Sequence, residues 1–311
     1  MKKLYYFIKP AIPRRFQILL RRKLIQRQRQ ACKNVWPILD ESSAVPENWA
    51  GWPDGKKFGL IITHDVELQG GHDKCRELYQ LEKELGFVSS FNFVPERYRV
   101  SPSLRTELRS NGFEVGVHGL KHDGKLFQSK TIFDKRSAKI NSYLKEWGST
   151  GFRAPAMHHN LEWIHELNIE YDLSTFDTDP FEPQSDGMGT IFPIWISRMG
   201  GKGYWELPYT LAQDFTLFIL MEEKSPAIWI KKLDWIAKHE GMALVNVHPD
   251  YINFSGTDLG PEEFPVNYYR DFLMHIKERY KGEYYNALPG QLVQYLNVVV
   301  LDSTKQRNQH K

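Results

Sequence analysis

The sequence contains few cysteines and no long apolar run. Cys32 and Cys75 are the only cysteines among its 311 residues, and they do not form a CxxC motif. A disulfide framework is therefore excluded, and so low a cysteine content is typical of proteins from a reducing compartment. No stretch approaches the roughly 18 to 20 consecutive apolar residues that a membrane-spanning helix requires.

A recognisable secretory signal is also missing. The apolar run Leu4–Ile8 is short, is followed at once by Lys9 and Pro10, and leads to no small-residue cleavage site. We therefore expect this segment to be retained and the protein to be cytoplasmic.

Acidic residues are absent from positions 1–39, which carry 11 lysines and arginines. The rest of the chain carries 30 basic and 38 acidic residues, so the body of the protein has a negative net charge. This distribution argues against a nucleic-acid-binding groove across the body.

Residues 1–40 are predicted to form a basic amphipathic arm. A helix is expected from about Arg14 to Arg29, with one side formed by Phe16, Leu19, Leu20 and Leu24. Each lysine or arginine near an anionic surface contributes about 1 kcal/mol, so residues 1–33 are predicted to bind an anionic membrane, at its inner face. The alternative is that Phe16, Leu20 and Leu24 pack on the body while the charges face solvent.

Strand-like and helix-like segments alternate from residue 57 onwards. The predicted strands are Phe58–Thr63, Val88–Val94, Glu114–Val117, Gly151–Arg153, Tyr171–Phe176, Trp205–Leu211 and Ala243–Val247. The predicted helices are Asp73–Leu85, Pro102–Ser110, Ile132–Trp147, Leu161–Leu167, Pro226–His239 and Val266–Tyr280. This alternation predicts an α/β fold with a parallel sheet, either a barrel or a doubly wound layer. We therefore divide the chain into the arm (1–40), a linker (41–56), an α/β domain (57–300) and a polar tail (301–311).

Charged or imidazole side chains follow five of the predicted strands. In chain order these are His64–Glu67, then His118 and His122, Arg153, Asp172–Asp179, and His248–Asp250. In parallel α/β sheets, functional groups collect at the carboxyl ends of the strands. We therefore predict that these residues meet at one face of the sheet.

Four of these side chains suit a metal site. Asp65 and Glu67 are two residues apart, so in an extended segment they point the same way, whereas His64 faces away and is expected to be structural. Two histidines and one carboxylate form a common catalytic zinc set that leaves a position open for water. By themselves, His118 and His122 are also compatible with a surface loop, and the two acids with a cap or a surface ion pair.

The order of these motifs resembles that of the polysaccharide deacetylases, carbohydrate esterase family four, over about residues 57–250 and as far as 300. The shared features are an acidic motif after the first strand, HxxxH at 118–122, RxP at 153–155, an aspartate-rich aromatic stretch and a late histidine. The resemblance implies a deformed (β/α) barrel with a basic N-terminal helical arm added. It also implies metal-dependent removal of an acyl group from an amide, usually in an N-acetylated sugar.

The resemblance further implies a role for each matching position. Asp65 matches the catalytic base, Arg153 the arginine that holds this base, and His248 the general acid. His118 and His122 match the metal-binding histidines.

Two positions depart from the family pattern. The usual adjacent aspartates are here Asp65 and Val66, so the metal-binding acid is expected to be Glu67. The aromatic residue after RxP is Ala156, although stabilisation of an oxyanion depends on its backbone N–H and not on its side chain. The acid that orients the late histidine is left open among Asp177, Asp179 and Glu182.

The sequence thus predicts a hydrolase that uses a divalent metal, zinc first and otherwise cobalt, nickel or iron. It would remove an acetyl or other acyl group from an N-acylated sugar or glycan precursor, in the biosynthesis or modification of a cell-surface polysaccharide. The alternatives are a non-catalytic scaffold or glycan-binding protein on the same fold, and a metal-dependent hydrolase of a non-sugar amide.

Overall fold

The computed structural model describes residues 13–47, 49–184, 186–198 and 201–301. The helices are α1 (Arg14–Ala31), α2 (Gln69–Leu85), α3 (Pro102–Ser110), α4 (Lys130–Trp147), α5 (Leu161–Ile164), α6 (Ala227–Lys238), α7 (Val266–Arg279) and α8 (Pro289–Leu296). The strands are β1 (Phe58–Val66), β2 (Ser90–Phe93), β3 (Glu114–His118), β4 (Gly151–Arg153), β5 (Tyr171–Asp172), β6 (Ile194–Ser197), β7 (Gly203–Glu206), β8 (Met242–Asn246), β9 (Ile252–Asn253), β10 (Phe264–Pro265) and β11 (Tyr284–Asn286). Among these described helices, none has both the length and the apolar character needed to cross a membrane.

Nine of the described strands form one curled sheet. Its order is β11-β1-β2-β3-β4-β5-β7-β6, and β8 pairs with β1 as well. The neighbours are parallel except for β6 and β7. After β7 the chain continues through the isolated bridges Phe176–Tyr209 and Leu211–Val245, which bring it beside β8. The sheet therefore returns to β1 as a deformed (β/α) barrel, and the predicted fold class is confirmed.

Strand β1 is the strand of this sheet that pairs with three others. All nine of its residues are buried, as expected for a parallel strand that is covered on both faces. It pairs with β2 near its carboxyl end, with β8 along its middle and with β11 at its start. The strand extends beyond the predicted end at Thr63, so that Asp65 lies within it, opposite Asn92 of β2. This pairing places the first acidic residue inside the barrel mouth.

The predicted strands and helices of the α/β domain are present, with local differences. Helix α5 ends at Ile164 and β5 at Asp172, before the predicted ends at Leu167 and Phe176. The sequence did not predict β6 or β11, whose residues are mostly only half-buried. Partly exposed edge strands carry a weak apolar signal, which explains why both were missed.

The segment predicted as a linker contacts the barrel through buried side chains. Trp52 is buried, donates from its indole Nε1 to the carbonyl of Glu240 at 2.7 Å, and contacts the ring of Trp49. The carbonyl of Ser42 accepts from the amide of Ile191 at 3.0 Å.

Helix α1 packs on the same body through the buried side chains of Ile18 and Ile25. The first twelve residues of the predicted arm and residues 302–311 of the predicted tail lie outside the described residues.

Candidate metal centre

Glu67, His118 and His122 come together at the carboxyl end of β1 and β3. Glu67 follows β1 directly, His118 ends β3, and His122 lies in the turn that follows β3. One potential ligand atom from each of the three lies within 4.8 Å of the others. Glu67 Oε1 and His122 Nε2 are 2.8 Å apart, yet the ring nitrogen is not aligned for a hydrogen bond. The three side chains therefore converge on one point, as the ligands of a metal ion do.

The surroundings of His118 favour a neutral ring with a free lone pair. Its Nδ1 lies 3.1 Å from the backbone carbonyl of Arg153 and donates to it. Its buried Nε2 has no hydrogen-bond partner among the described residues. Burial outweighs the attraction of Asp65 and lowers the pKa of His118 to about 4, so the ring is neutral at pH 7. A metal-binding histidine usually donates from one ring nitrogen to a carbonyl and leaves the other nitrogen free for the metal. A divalent cation therefore fits this site.

Glu67 is held by two later residues. Its Oε2 accepts from the hydroxyl of Tyr251 at 3.0 Å, and its backbone N–H donates to Asp250 Oδ2 at 2.9 Å. Burial opposes ionisation of Glu67, but the charge and contact of His122 outweigh it and hold the pKa of this carboxyl well below its usual value. Neither Tyr251 nor Asp250 was predicted to support this carboxylate.

The carboxylate of Asp250 also fixes the start of α2. Its Oδ1 accepts from the backbone N–H of Leu68 at 2.9 Å. A Cβ atom at Gly71 would lie 2.2 Å from Asp250 Oδ2, so only glycine leaves room for this approach. The acidic residue of the late His-Pro-Asp segment therefore positions the loop that carries Glu67.

Asp65 lies beside the triad and is ionised. Asn92 Nδ2 donates to its Oδ1 at 3.1 Å, and Asn246 Nδ2 donates to its Oδ2 at 2.9 Å. The same Oδ2 is 3.5 Å from Arg153 Nη1 and 4.0 Å from His118 Nε2. Burial raises the pKa of Asp65, but the nearby positive charges, Arg153 first, outweigh burial and lower the pKa to about 2.

Arg153 is fully buried, and its contact with Asp65 is longer than those of the two asparagines. Its Nε and Nη2 have no hydrogen-bond partner within the described part of the chain. The predicted support of Asp65 by Arg153 is therefore shared with Asn92 and Asn246, which were not predicted.

His248 is oriented by Asp214, which was not among the predicted candidates. Its Nδ1 lies 2.6 Å from Asp214 Oδ1, and its backbone N–H donates to Asp214 Oδ2 at 2.7 Å. Burial favours the neutral ring, but the charge and hydrogen bond of Asp214, aided by Glu67 and Asp65, raise the pKa of His248 to about 10. The imidazole is therefore protonated at pH 7.

The three predicted orienting acids have other partners. Asp177 pairs with Lys232 at 2.6 Å, whereas Asp179 Oδ2 and Glu182 Oε1 each lie 2.8 Å from the hydroxyl oxygen of Tyr209. Burial, followed by the charge of Glu182, raises the pKa of Asp179 to about 8, so this pair of acids holds a proton near neutral pH. The prediction that one of the three orients His248 was wrong. Since Asp214 lies just beyond the predicted strand 205–211, the rule used for the other strand ends would have found it.

Ala156 lies in a short 3-10 turn at the same face. The turn covers Pro155–Met157, and Ala156 and Met157 both have a left-handed backbone, with φ of 54° and 53°. Such conformations are uncommon for residues other than glycine and cluster at functional sites. Ala156 is exposed, and a pocket beside the turn is lined by His122, Pro155 and His158, among others.

His64 contributes to the structure and not to this cluster. Its ring bonds to the carbonyl of Val247 at 2.9 Å and to Glu82 at 2.7 Å, away from Asp65. This arrangement agrees with the strand alternation from which its orientation was predicted.

No family model matches the chain, and no curated protein matches it. Solved structures do match, at low identity. A protein of Mycobacterium smegmatis assigned as a polysaccharide deacetylase is 18% identical, with 82% of this chain and 95% of that chain covered and a TM-score of 0.62. The allantoinase PuuE is 13% identical, with coverage of 81% and 95% and a TM-score of 0.62. A protein of Pseudomonas aeruginosa PAO1 assigned as a polysaccharide deacetylase is also 13% identical, with coverage of 81% and 95% and a TM-score of 0.61. The chain therefore has the fold of the polysaccharide deacetylases.

Proposed function

We propose that this protein is a metal-dependent hydrolase that removes an acetyl or other acyl group from an N-acylated sugar. The observation that carries the proposal is the presence of two opposite charges close to one triad. Asp65 is ionised next to Glu67, His118 and His122, and His248, whose charge acts on both Asp65 and Glu67, is protonated. An ionised base and a charged acid next to a metal site are the parts that amide hydrolysis requires.

Each side chain then has a defined task. Glu67 Oε1, His118 Nε2 and a ring nitrogen of His122 would hold the cation, with zinc first and cobalt, nickel or iron as alternatives. A divalent cation bound there supplies Lewis acidity towards a water molecule and a carbonyl oxygen.

Side chains of the protein carry out both proton transfers. Asp65 accepts a proton from the attacking water, and Arg153, Asn92 and Asn246 keep its carboxylate in place. The backbone N–H of Ala156 donates to the developing oxyanion. His248 gives its proton to the leaving nitrogen, which cannot depart as an anion, and Asp214 keeps the ring oriented.

The substrate class is proposed as an N-acylated sugar or a glycan precursor, in the biosynthesis or modification of a cell-surface polysaccharide. The support for this class is the fold, which the chain shares with proteins of Mycobacterium smegmatis and Pseudomonas aeruginosa PAO1 that are assigned as polysaccharide deacetylases.

A hydrolase of a non-sugar amide is the second candidate. It is supported by the allantoinase PuuE, which has the same fold and whose name refers to a small amide that is not a sugar. The same three ligands, base and acid would serve that reaction. A non-catalytic binding protein is less well supported, because Asp65 and His248 are both held in the charged forms that proton transfer needs.

Metal content and acetate release test the proposal together. The purified protein is expected to retain one divalent cation per chain after dialysis and to release acetate from oligomers of N-acetylglucosamine. His118→Ala should lose the metal, whereas His275→Ala, a histidine that pairs with Asp234 outside the site, should keep it. Asp65→Asn should keep the metal and lose about a hundredfold or more in rate, since its role is proton removal.

Full metal retention by His118→Ala would contradict the ligand set, and an active Asp65→Asn variant would contradict the base. Acetate release from small N-acetyl amides but from no sugar would favour the second candidate.

A further inference from the structure

Helix α1 pairs three of its arginines with groups on the body of the protein. Arg14 pairs with Glu262 at 2.6 Å, and Arg29 pairs with Glu223 at 2.5 Å. Arg22 donates to the carbonyl of Ile219 at 2.8 Å and pairs with Glu222 at 2.9 Å. With Ile18 and Ile25 buried between them, these contacts fix one face of the helix on the body.

The opposite face of α1 is apolar and exposed. The exposed fractions are 60% for Phe16, 50% for Leu19, 53% for Leu20 and 56% for Leu24. Helical spacing places Lys23 and Arg27, which are also exposed, on this same face. The alternative that the apolar residues pack on the barrel is therefore wrong, because Arg14, Arg22, Arg29 and two isoleucines occupy that contact. We call this exposed face, formed by Phe16, Leu19, Leu20, Lys23, Leu24 and Arg27, the outer face.

We propose that the outer face binds the surface of an anionic membrane. Leucine and phenylalanine side chains that point into solvent along one helix suit the boundary between head groups and acyl chains. The charges among them identify the partner, because Lys23 and Arg27 are both basic and residues 1–39 contain no acid. An anionic lipid surface complements this pattern, since each basic residue near it contributes attraction. The 18-residue helix would lie along the membrane with its whole length in the interface.

The same helix lies close to the candidate metal centre. The guanidinium groups of Arg14 and Arg21 lie 5.9 and 5.1 Å from the ring centroid of Phe215. The Phe215 ring packs on Tyr251 with a centroid distance of 4.8 Å, and the Tyr251 hydroxyl bonds to Glu67. Two packed rings therefore separate the helix from a proposed metal ligand. A helix that is bound in the interface holds this face of the barrel next to the lipid head groups.

The position of the candidate site near the membrane restricts the class of substrate. This inference rests on the proposed function. A hydrolase held at a membrane with its site near the head groups meets molecules that are anchored in that membrane. We infer that the N-acyl group to be removed is carried by a sugar attached to a lipid. The attachment to the membrane itself requires no catalytic activity, so the two parts can be tested separately.

Co-sedimentation with lipid vesicles tests the membrane contact. The full chain is expected to sediment with vesicles of phosphatidylcholine and phosphatidylglycerol at low salt, and to remain in the supernatant with phosphatidylcholine alone. Leu20→Glu/Leu24→Glu should reduce the partition coefficient by about tenfold or more through lost apolar burial. Lys23→Gln/Arg27→Gln should reduce it by about fivefold for each charge removed. Leu259→Glu is the matched control, because Leu259 is 48% exposed but does not belong to α1.

Full-length protein that does not sediment with anionic vesicles would overturn the membrane proposal. Equal losses in the α1 variants and in Leu259→Glu would also overturn it, as would conversion of a wild-type dimer to a monomer by Leu20→Glu/Leu24→Glu. In the last case the outer face would bind a second copy of the chain. A thermal melt that is unchanged in each variant shows that the substitutions have not unfolded the protein.

Acetate release tests the substrate inference. A lipid with an N-acetylglucosamine head group, embedded in anionic vesicles, should be hydrolysed about tenfold or more slowly by Leu20→Glu/Leu24→Glu than by the unaltered protein. Both proteins should hydrolyse soluble N-acetylglucosamine oligomers at the same rate. Equal rates on the vesicles would overturn the inference, whereas absence of acetate from both substrates, with membrane binding intact, would overturn the proposed function and leave the membrane contact standing.

Discussion

At the scale of single residues, the environment of each side chain defines its chemistry. Asp65 and Glu67 are two positions apart, yet amide N–H groups surround the first and the phenol of Tyr251 and a histidine surround the second. His118 and His248 differ in the same way, because a carbonyl faces Nδ1 of the former and a carboxylate faces Nδ1 of the latter. One imidazole is consequently neutral and the other protonated at pH 7.

The pairing of His248 with Asp214 predicts a change in the pH dependence of the reaction. In Asp214→Asn the charge that raises the pKa of His248 is lost, so the imidazole deprotonates at lower pH. The alkaline limb of kcat/KM should then move to lower pH, and the rate at mildly alkaline pH should fall by about tenfold for each unit of that movement. The measurement is a pH profile of acetate release.

Asp234→Asn is the matched control for this prediction, since Asp234 pairs with His275 at the surface. It should leave the profile unchanged. An Asp214→Asn profile that coincides with that of the unaltered protein would show that His248 is not the acid.

The sequence identifies the side chains that meet at the candidate metal centre better than the residues that support them. Asp65, Glu67, His118, His122 and His248 have charged or imidazole side chains at strand ends, and the structure brings them close together. Asn92, Asn246 and Tyr251 are ordinary residue types in buried strands or loops, and only the barrel geometry brings them next to the carboxylates. Supporting residues of this kind carry no local sequence signal.

At the scale of elements, the first turn of α2 and the late Pro249–Tyr251 turn form one unit. Gly71 faces the carboxylate of Asp250, which in turn holds the amides of Glu67 and Leu68. The loop between β1 and α2 therefore depends on a residue that follows β8.

This contact predicts different effects for two neighbouring glycines. Gly71→Ala would push the new methyl group into the Asp250 carboxylate, so the free energy of unfolding should fall by about 1 to 3 kcal/mol. Metal affinity should fall as well, because Glu67 loses its backbone anchor. Gly70→Ala has nothing within 4 Å of the new Cβ and should change neither quantity by a comparable amount.

Urea denaturation and metal titration of both variants check this prediction. Equal stability and equal metal affinity in the two variants would show that the Asp250 contact does not position Glu67.

Helix α1 shows what a helical sequence pattern can and cannot predict. The amphipathic character of α1 was predicted, and the helix is present. The apolar pattern did not predict which face of α1 packs on the body. That face is set by Glu222, Glu223 and Glu262, which pair with three arginines of the helix. These acids are distant in sequence, so a local apolar pattern contains no information about them.

At the scale of the whole molecule, the barrel contains a buried pair of acids away from the metal ligands. Asp172 of β5 and Glu206 of β7 are register partners and are fully buried. Burial, followed by the charge of Asp172, raises the pKa of Glu206 well above its usual value, so the pair shares a proton in the folded protein.

This pair predicts an effect of pH on stability. The unfolded chain loses these protons near its ordinary carboxyl pKa values of about 4, while the folded protein keeps one. Because the folded state then binds more protons, the contribution of the pair to stability falls as pH rises above about 4. Glu206→Gln cannot ionise, so its stability relative to the unaltered protein should rise by as much as about 1.4 kcal/mol per pH unit over this range.

Urea denaturation at pH values from about 5 to about 8 measures this difference. Glu162→Gln, at an exposed glutamate, should show no such trend. A constant difference between Glu206→Gln and the unaltered protein at every pH would contradict the shared proton.

The pairing of β1 also affects how the chain folds during its synthesis. One side of β1 pairs with β2 near its carboxyl end and with β11 at its start, and the other side pairs with β8, at residues 242–246. A ribosome that adds about 5 to 20 residues per second leaves the β8 side of this apolar strand without its partner for a time on the order of ten seconds. During this interval the nascent chain presents an open strand edge to other nascent chains, which is a route to aggregation. The yield of folded protein in a cell should therefore depend on chaperones that cover this edge during translation.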